Sequence, residues 1–175
     1  MNDFPETGFR VREVVPSDAM ALKALRFAAL ERYPIVYGTT VDEESRVSED
    51  DWLARATPGP TSTFFVAESE SGTLVALAGI RSDGKLKTGH RAELWGVYVD
   101  PEFERRGVGD ALVRASIAWA REHGIGRITL SVWDINHTAI RLYQRHGFVV
   151  YGLDDDAVRV DGVRYDDYLM HLRID

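Results

Sequence analysis

One stretch, Glu93 to Val113, constrains the fold more than any other. An apolar run from Leu94 to Val99 leads into Asp100-Pro101, then into Arg105-Arg106-Gly107-Val108-Gly109, then into residues with helical spacing. This reads as a strand, a short loop and the start of a helix. Such a junction aims backbone N–H groups and a helix N-terminus at one spot, which suits a phosphate or pyrophosphate. Two nucleotide motifs fail here. A Walker A loop would need Gly-Lys-Ser/Thr, and none follows. The dinucleotide fingerprint needs a glycine where Leu112 stands. A lone Gly-x-Gly at such a turn is also what a tight turn alone would require.

The flanking pattern is mixed α/β. Phe9 to Val15 alternates as a strand. Ser17 or Asp18 caps a helix with Met20, Ala21, Leu25, Ala28 and Ala29 as its apolar stripe, ending before Pro34. Tyr33 to Arg46 reads as a loop, and Ser48 caps a short helix that Pro58-Gly-Pro60 ends. Thr63 to Glu70 and Thr73 to Ser82 form a hairpin around Ser71-Gly72, and Arg91 to Val99 is the next strand. A helix covers Gly107 to His123 and a strand Arg127 to Trp133. Asn136 caps a helix from His137 to His146, with Gly147 as its stop. Phe148 to Gly152 and Val163 to Ile174 pair as strands around an acidic loop, Leu153 to Asp161. The strand–helix–strand unit over 93–133 makes its two strands parallel, with a ligand site at their carboxyl ends.

Composition narrows the chemistry. The 175 residues are read as one domain with a sizeable core. The chain has no cysteine, which excludes disulfides, thiolate metal sites and a cysteine nucleophile. The five histidines show no ligand spacing, so no metal site is expected. A net charge of -7 argues against nucleic acid, and fits a cationic partner only weakly, since acidity also serves solubility. There is no apolar run of membrane-spanning length, and Met1 to Arg12 lacks a signal-peptide core. No membrane partner and a cytoplasmic location are the expectations.

Taken together, Val97-Tyr-Val-Asp-Pro101, Glu104-Arg-Arg-Gly-Val-Gly109, the Asn136–Tyr143 pair and Gly147-Phe148 resemble the GNAT family of acetyl-CoA-dependent N-acetyltransferases. The likeness runs over about 9–173. It implies a single GNAT domain over 1–175, with a mostly antiparallel sheet of about seven strands, a splayed parallel pair and about four flanking helices. It also implies acetyl-CoA as cosubstrate. Pyrophosphate would be held by backbone N–H groups of Arg105, Arg106, Gly107, Val108, Gly109 and Asp110. One position departs: Glu104 stands where the family usually has Arg or Gln, placing an anion near the phosphates, with Arg105 and Arg106 as compensating charge.

On the same resemblance Val97, Tyr98 and Val99 line the pantetheine arm. Gly96 fits a bulge there, although packing under an aromatic would also explain it. A neutral amine must attack, so a base must remove a proton from an ammonium of pKa ~10.4 if it is lysine-like. The leaving thiolate needs a donor, and a phenol of pKa ~10 is protonated at neutral pH. Tyr143, two turns beyond Asn136 on one helix face, is the implied donor, with Asn136 contacting the pantetheine region. Glu93 matches a strand glutamate that is the base in some members. A strand-end ion pair, for instance with Arg91, would explain it equally. Ser131 falls at another family base position, where it could only order a water. His90 and His137 fall in exposed loops.

Transfer would be direct, to a primary amine of a small molecule or peptide. The acceptor loops would be Tyr33 to Arg46 and Leu153 to Asp161, whose Asp42, Glu43, Glu44, Asp154, Asp155 and Asp156 form an acidic rim or a solvated charge run. Family members are often dimers, so a homodimer is an expectation. The alternative is a non-catalytic acyl-CoA-binding regulatory module. A nucleotide-binding domain is disfavoured by the failed motifs.

Overall fold

A computed structural model describes residues 8–174; residues 1–7, within the stretch read for a signal peptide, lie outside the described residues. Seven strands form one sheet in the order β1-β2-β3-β4-β5-β7-β6. They are β1 (Phe9–Glu13), β2 (Ser62–Ser69), β3 (Leu74–Ser82), β4 (Arg91–Val99), β5 (Arg127–Trp133), β6 (Val149–Val160) and β7 (Val163–Arg173). Only β4 and β5 run parallel. The expected mixed α/β sheet is therefore present.

Among the described residues five α-helices flank it: α1 (Ala19–Arg32), α2 (Val41–Ser45), α3 (Glu49–Arg55), α4 (Val108–Glu122) and α5 (His137–Arg145). The additional one is α2, which interrupts the expected loop from Tyr33 to Arg46. Its start is a capping box. The Thr40 hydroxyl accepts the Glu43 N–H at 3.2 Å, and the Glu43 carboxylate accepts the Thr40 N–H at 2.8 Å.

A second correction concerns 153–161. These residues extend β6, paired with β7 as far as Val160↔Val163, with a register shift between Asp154 and Val158. Asp161-Gly162 turns the hairpin with both residues at positive φ, as a tight two-residue turn requires. The stripe of α1 also differs. Leu22, Leu25, Arg26, Ala29 and Leu30 are buried, whereas Met20 is 57% exposed. A buried arginine holds one position of the stripe, which hid its phase.

The sheet divides the core in two. One side packs Ala92, Leu94 and Ile128 against Leu112, Val113 and Ile117 of α4 and Tyr143 of α5. The other packs Leu77 and Tyr98 against Leu22 and Leu25 of α1 and Trp52 of α3. Burying these faces supplies roughly 25 cal/mol per Å² of apolar surface.

Candidate active site

The site begins where the parallel pair fails. β4 and β5 pair only at Arg91↔Arg127, Ala92↔Ile128 and Glu93↔Thr129. Beyond Glu93 the edge of β4 that faces β5 has no strand partner, while β5 continues alongside β7 to Trp133↔Asp167. The opening coincides with a bulge. The β3–β4 register jumps from Leu77↔Tyr98 to Gly79↔Trp95, and Gly96 has φ 63°, in the left-handed region that glycine tolerates. The glycine packed beneath an aromatic is Gly79 instead: a Cβ there would lie 2.6 Å from the Trp95 ring.

The bulge resets side-chain parity. Ala92 and Leu94 face α4, so Glu93 and Trp95 face the α1 side. After the bulge Val97 and Val99 pack on the α4-side core, and Tyr98 on the α1-side core. Of the three residues expected to line a cofactor, Tyr98 thus has its ring buried beside Tyr33, 6.2 Å between centroids. Only its backbone can serve the open edge. Tyr37 donates its hydroxyl to the Val97 carbonyl at 3.0 Å, which ties the segment after α1 to the bulge.

The loop before α4 is tightly curled. Arg105 and Gly107 both have positive φ, 59° and 82°, and curl the chain into α4. Ala111 N–H donates to the Gly107 carbonyl at 3.0 Å. The N–H groups of Val108, Gly109 and Asp110 precede that first helical bond and have no acceptor within the helix. Together with the helix dipole they fit an anion. Gly109 serves packing as well, since a Cβ there would lie 3.2 Å from Leu142 of α5. The side chains are otherwise engaged. Arg106 stacks on Phe103 at 5.0 Å. Glu104 accepts the Tyr33 hydroxyl at 3.2 Å, which draws its carboxylate toward α1. Asp110 pairs with Arg145 and His146, each at 3.0 Å. Burial raises its pKa, but these two bonds outweigh burial and hold it below the ordinary carboxylate range.

On α5, Asn136 caps the helix through its side-chain oxygen, which accepts the Ala139 N–H at 3.1 Å; its amide NH2 is not used in this bond. Tyr143 is 7% exposed, and its hydroxyl has no hydrogen-bond partner among the described residues. Burial alone pushes its pKa well above the ordinary phenol value, so it stays protonated. Tyr37 is shifted the same way, first by burial, and it feels Tyr143, Tyr98 and Tyr33 electrostatically. Phenols from α5 and from the segment after α1 therefore converge near the bulge.

Glu93 is ion-paired, but to Arg81 across β3–β4 at 2.7 Å rather than to Arg91. Strand register explains this, since Arg81 and Glu93 are direct cross-strand partners. A second carboxylate on the same sheet side escaped the sequence reading. Asp167 of β7 is 9% exposed, and its Oδ1 is buried with no hydrogen-bond partner. Burial raises its pKa; the neighbouring Ser131 hydroxyl pulls the other way, and Asp154 and Asp134 push it further up. Asp167 lies on the same face of β7 as Leu169, but the alternation of β7 alone does not say that this face is covered. His90 and His137 are exposed, as expected.

The acidic rim does not form as expected. Glu44 is 6% exposed and binds Arg26 at 3.4 Å and Arg55 at 2.7 Å. Glu43 caps α2, and Asp42 pairs with Arg46. Asp156 pairs with Arg159 and Arg164.

An open strand edge beside a helix N-terminus free of acceptors is the geometry of the fold that the sequence resembles. A family model for the acetyltransferase (GNAT) family matches residues 23–148. The chain belongs to the GNAT acetyltransferase family. It is 30% identical over 164 residues to a mycothiol acetyltransferase of Propionibacterium freudenreichii, covering 92% of this chain and 49% of that protein. The chain thus spans about half the length of the curated relatives it first matches. A GNAT acetyltransferase from Streptococcus pneumoniae superposes with a TM-score of 0.84 at 26% identity, covering 95% of this chain and 99% of that one. A phosphinothricin acetyltransferase from Sinorhizobium meliloti, solved with acetyl-CoA, shares the fold at TM-score 0.79 and 19% identity, over 95% and 89% of the two chains. Among the described residues no helix is long and apolar enough to cross a membrane.

Proposed function

We propose that the chain forms a single GNAT domain that transfers an acetyl group directly from acetyl-CoA to a primary amine. One observation carries this reading: the unpaired edge of β4 opens beside Tyr143, a buried phenol of the same core as Val97 and Val99. Acetyl-CoA supplies the acetyl thioester. Backbone N–H groups of Val108, Gly109 and Asp110 take its pyrophosphate, with Arg105 and Arg106 as nearby positive charge. The edge from Val97 to Val99 pairs with its amide-bearing arm, and the Asn136 amide contacts the same arm.

Tyr143, held protonated by burial, donates to the departing sulfur. Glu93, further down β4 from the opening, takes the amine proton through a chain of waters. A second reading of the base is Asp167, because its Oδ1 is unpartnered and its pKa is raised, first by burial. The absence of cysteine supports direct transfer over an acetyl-cysteine route.

The test is thiol release from acetyl-CoA across an amine panel, for the wild type and Tyr143→Phe. The variant is expected to lose about 10²-fold or more in kcat while binding acetyl-CoA with unchanged Kd. Equal kcat would remove Tyr143 from the chemistry. Acetyl-CoA binding without thiol release on any amine would favour a non-catalytic acyl-CoA-binding module.

A further inference from the structure

On the sheet side that carries Glu93, a hollow of about 450 Å³ lies at the amino-terminal ends of β4 and β5. Its walls include Arg81, Arg91, Glu93, Arg127, Thr129 and Tyr151. Three arginines in one hollow are unexpected in a chain of net charge -7, and they are not equally neutralised. Arg81 is balanced by Glu93. Asp83, also in the wall, is turned onto the Lys85 N–H and the Thr88 hydroxyl. Arg91 is exposed and has no ion pair among the described residues, although Asp83 lies close enough to feel its charge.

Arg127 has no carboxylate partner either. It stacks on the Tyr151 ring at 4.9 Å, and its Nη2 lies 3.0 Å from His171 Nδ1. Burial, then Arg127 and Arg173, lowers the His171 pKa, so the imidazole is neutral and accepts this bond. The Arg127 Nε is buried with no hydrogen-bond partner. A guanidinium held by a ring and a neutral imidazole keeps its positive charge without a carboxylate partner, and a carboxylate is the partner that bonds it most strongly.

We propose that this hollow binds a carboxylate of the acceptor, so that the substrate class is an amine tethered to an acid group. This rests on the acetyltransferase reading above. The position of the hollow also limits the tether. Glu93 and Val97 are four residues apart on β4, about 13 Å at some 3.3 Å per residue, and Arg91 lies further down. The arginine side chains shorten the gap but do not close it. An amine at the β4 opening and an acid in the hollow are therefore separated by several bonds, as in an ω-amino acid or a dipeptide, rather than sharing one carbon. Tyr151 and Thr129 would flank the spacer.

The experiment uses the full chain with acetyl-CoA. Thiol release is measured on glycine, 4-aminobutyrate and 6-aminohexanoate, each beside its carboxamide. The longer acids are expected to exceed their amides in kcat/KM by about tenfold or more, with glycine showing little preference. In Arg91→Gln, a substitution at an exposed side chain, the acid-to-amide ratio should fall several-fold toward one. Equal use of acid and amide, or a ratio unchanged in Arg91→Gln, would overturn the proposal while leaving the acetyltransferase reading intact. If no amine releases thiol, the acetyltransferase reading fails and the hollow is still tested by melting temperature. With CoA present, 6-aminohexanoate must raise it more than its amide does, and an equal response overturns the subsite.

Discussion

Asp167 shows how one residue can be tuned against the fold. Its carboxyl is buried, and burial raises its pKa, so the folded state favours the protonated form more than the unfolded chain does. Between the unfolded value and the raised folded one, the native state binds the extra proton. Stability contributed by this group is therefore present at low pH and lost as pH rises through the folded pKa. Asp167→Asn is expected to raise the melting temperature at pH 7 relative to wild type, with the gain shrinking below about pH 4; calorimetry across pH checks this. If Asp167 is the base, the same variant also loses the acid limb of the kcat/KM profile, whereas Glu93→Gln retains it. Tyr143 and Asn136 were legible from their spacing, because seven residues bring two side chains to one helix face. Asp167 was not, because the sequence does not reveal which strand carboxylate the sheet will bury.

At the scale of elements, the start of α4 and the α1–α2–α3 corner carry different kinds of strain. Gly107 holds φ 82° with nothing within 4 Å of where a Cβ would stand, so Gly107→Ala loses only backbone freedom. The cost is about 1–2 kcal/mol, a fall of several degrees in melting temperature, together with weaker acetyl-CoA binding measured by calorimetry. The corner is held by a buried charge. Glu44→Ala strands Arg26, itself 6% exposed, and removes a partner of Arg55. Breaking such a pair costs about 3–5 kcal/mol, which denaturant titration would read as a lowered midpoint at unchanged slope. The sequence placed β2, β3, β4, β5, α4 and α5 within a few residues, because their periods are clean and glycine or proline bounds them. It missed α2 although Thr40 and Glu43 have capping-box spacing, since five residues are too few to show a period. It missed the second half of β6 because three consecutive aspartates look like solvated loop, yet Asp161-Gly162 was a turn signal in plain sight. The acidic rim failed for a related reason: charge counts do not say which carboxylates are already matched to arginines.

For the whole molecule, the seven-stranded sheet has one narrow seam, with β1 to β4 on one side and β5, β7 and β6 on the other. Three residue pairs between β4 and β5 join them. Acetyl-CoA is expected to bridge the two. At 100 times Kd it should stabilise the chain by about 2.7 kcal/mol, or roughly 5–10 °C in melting temperature. Hydrogen exchange should slow most at 94–99 and at the N-terminus of α4; protection spread evenly over the sheet would count against a cofactor lying in the opening. The three-pair seam has a further consequence for the cofactor. The edge of β4 beyond Glu93 carries no strand partner, so an amide-bearing arm can pair with it without displacing any β4–β5 bond, while the core shared by Ala92, Leu94, Ile128 and Leu130 keeps the two sides together. A visiting carrier completes the ladder as a guest strand and leaves it as it was.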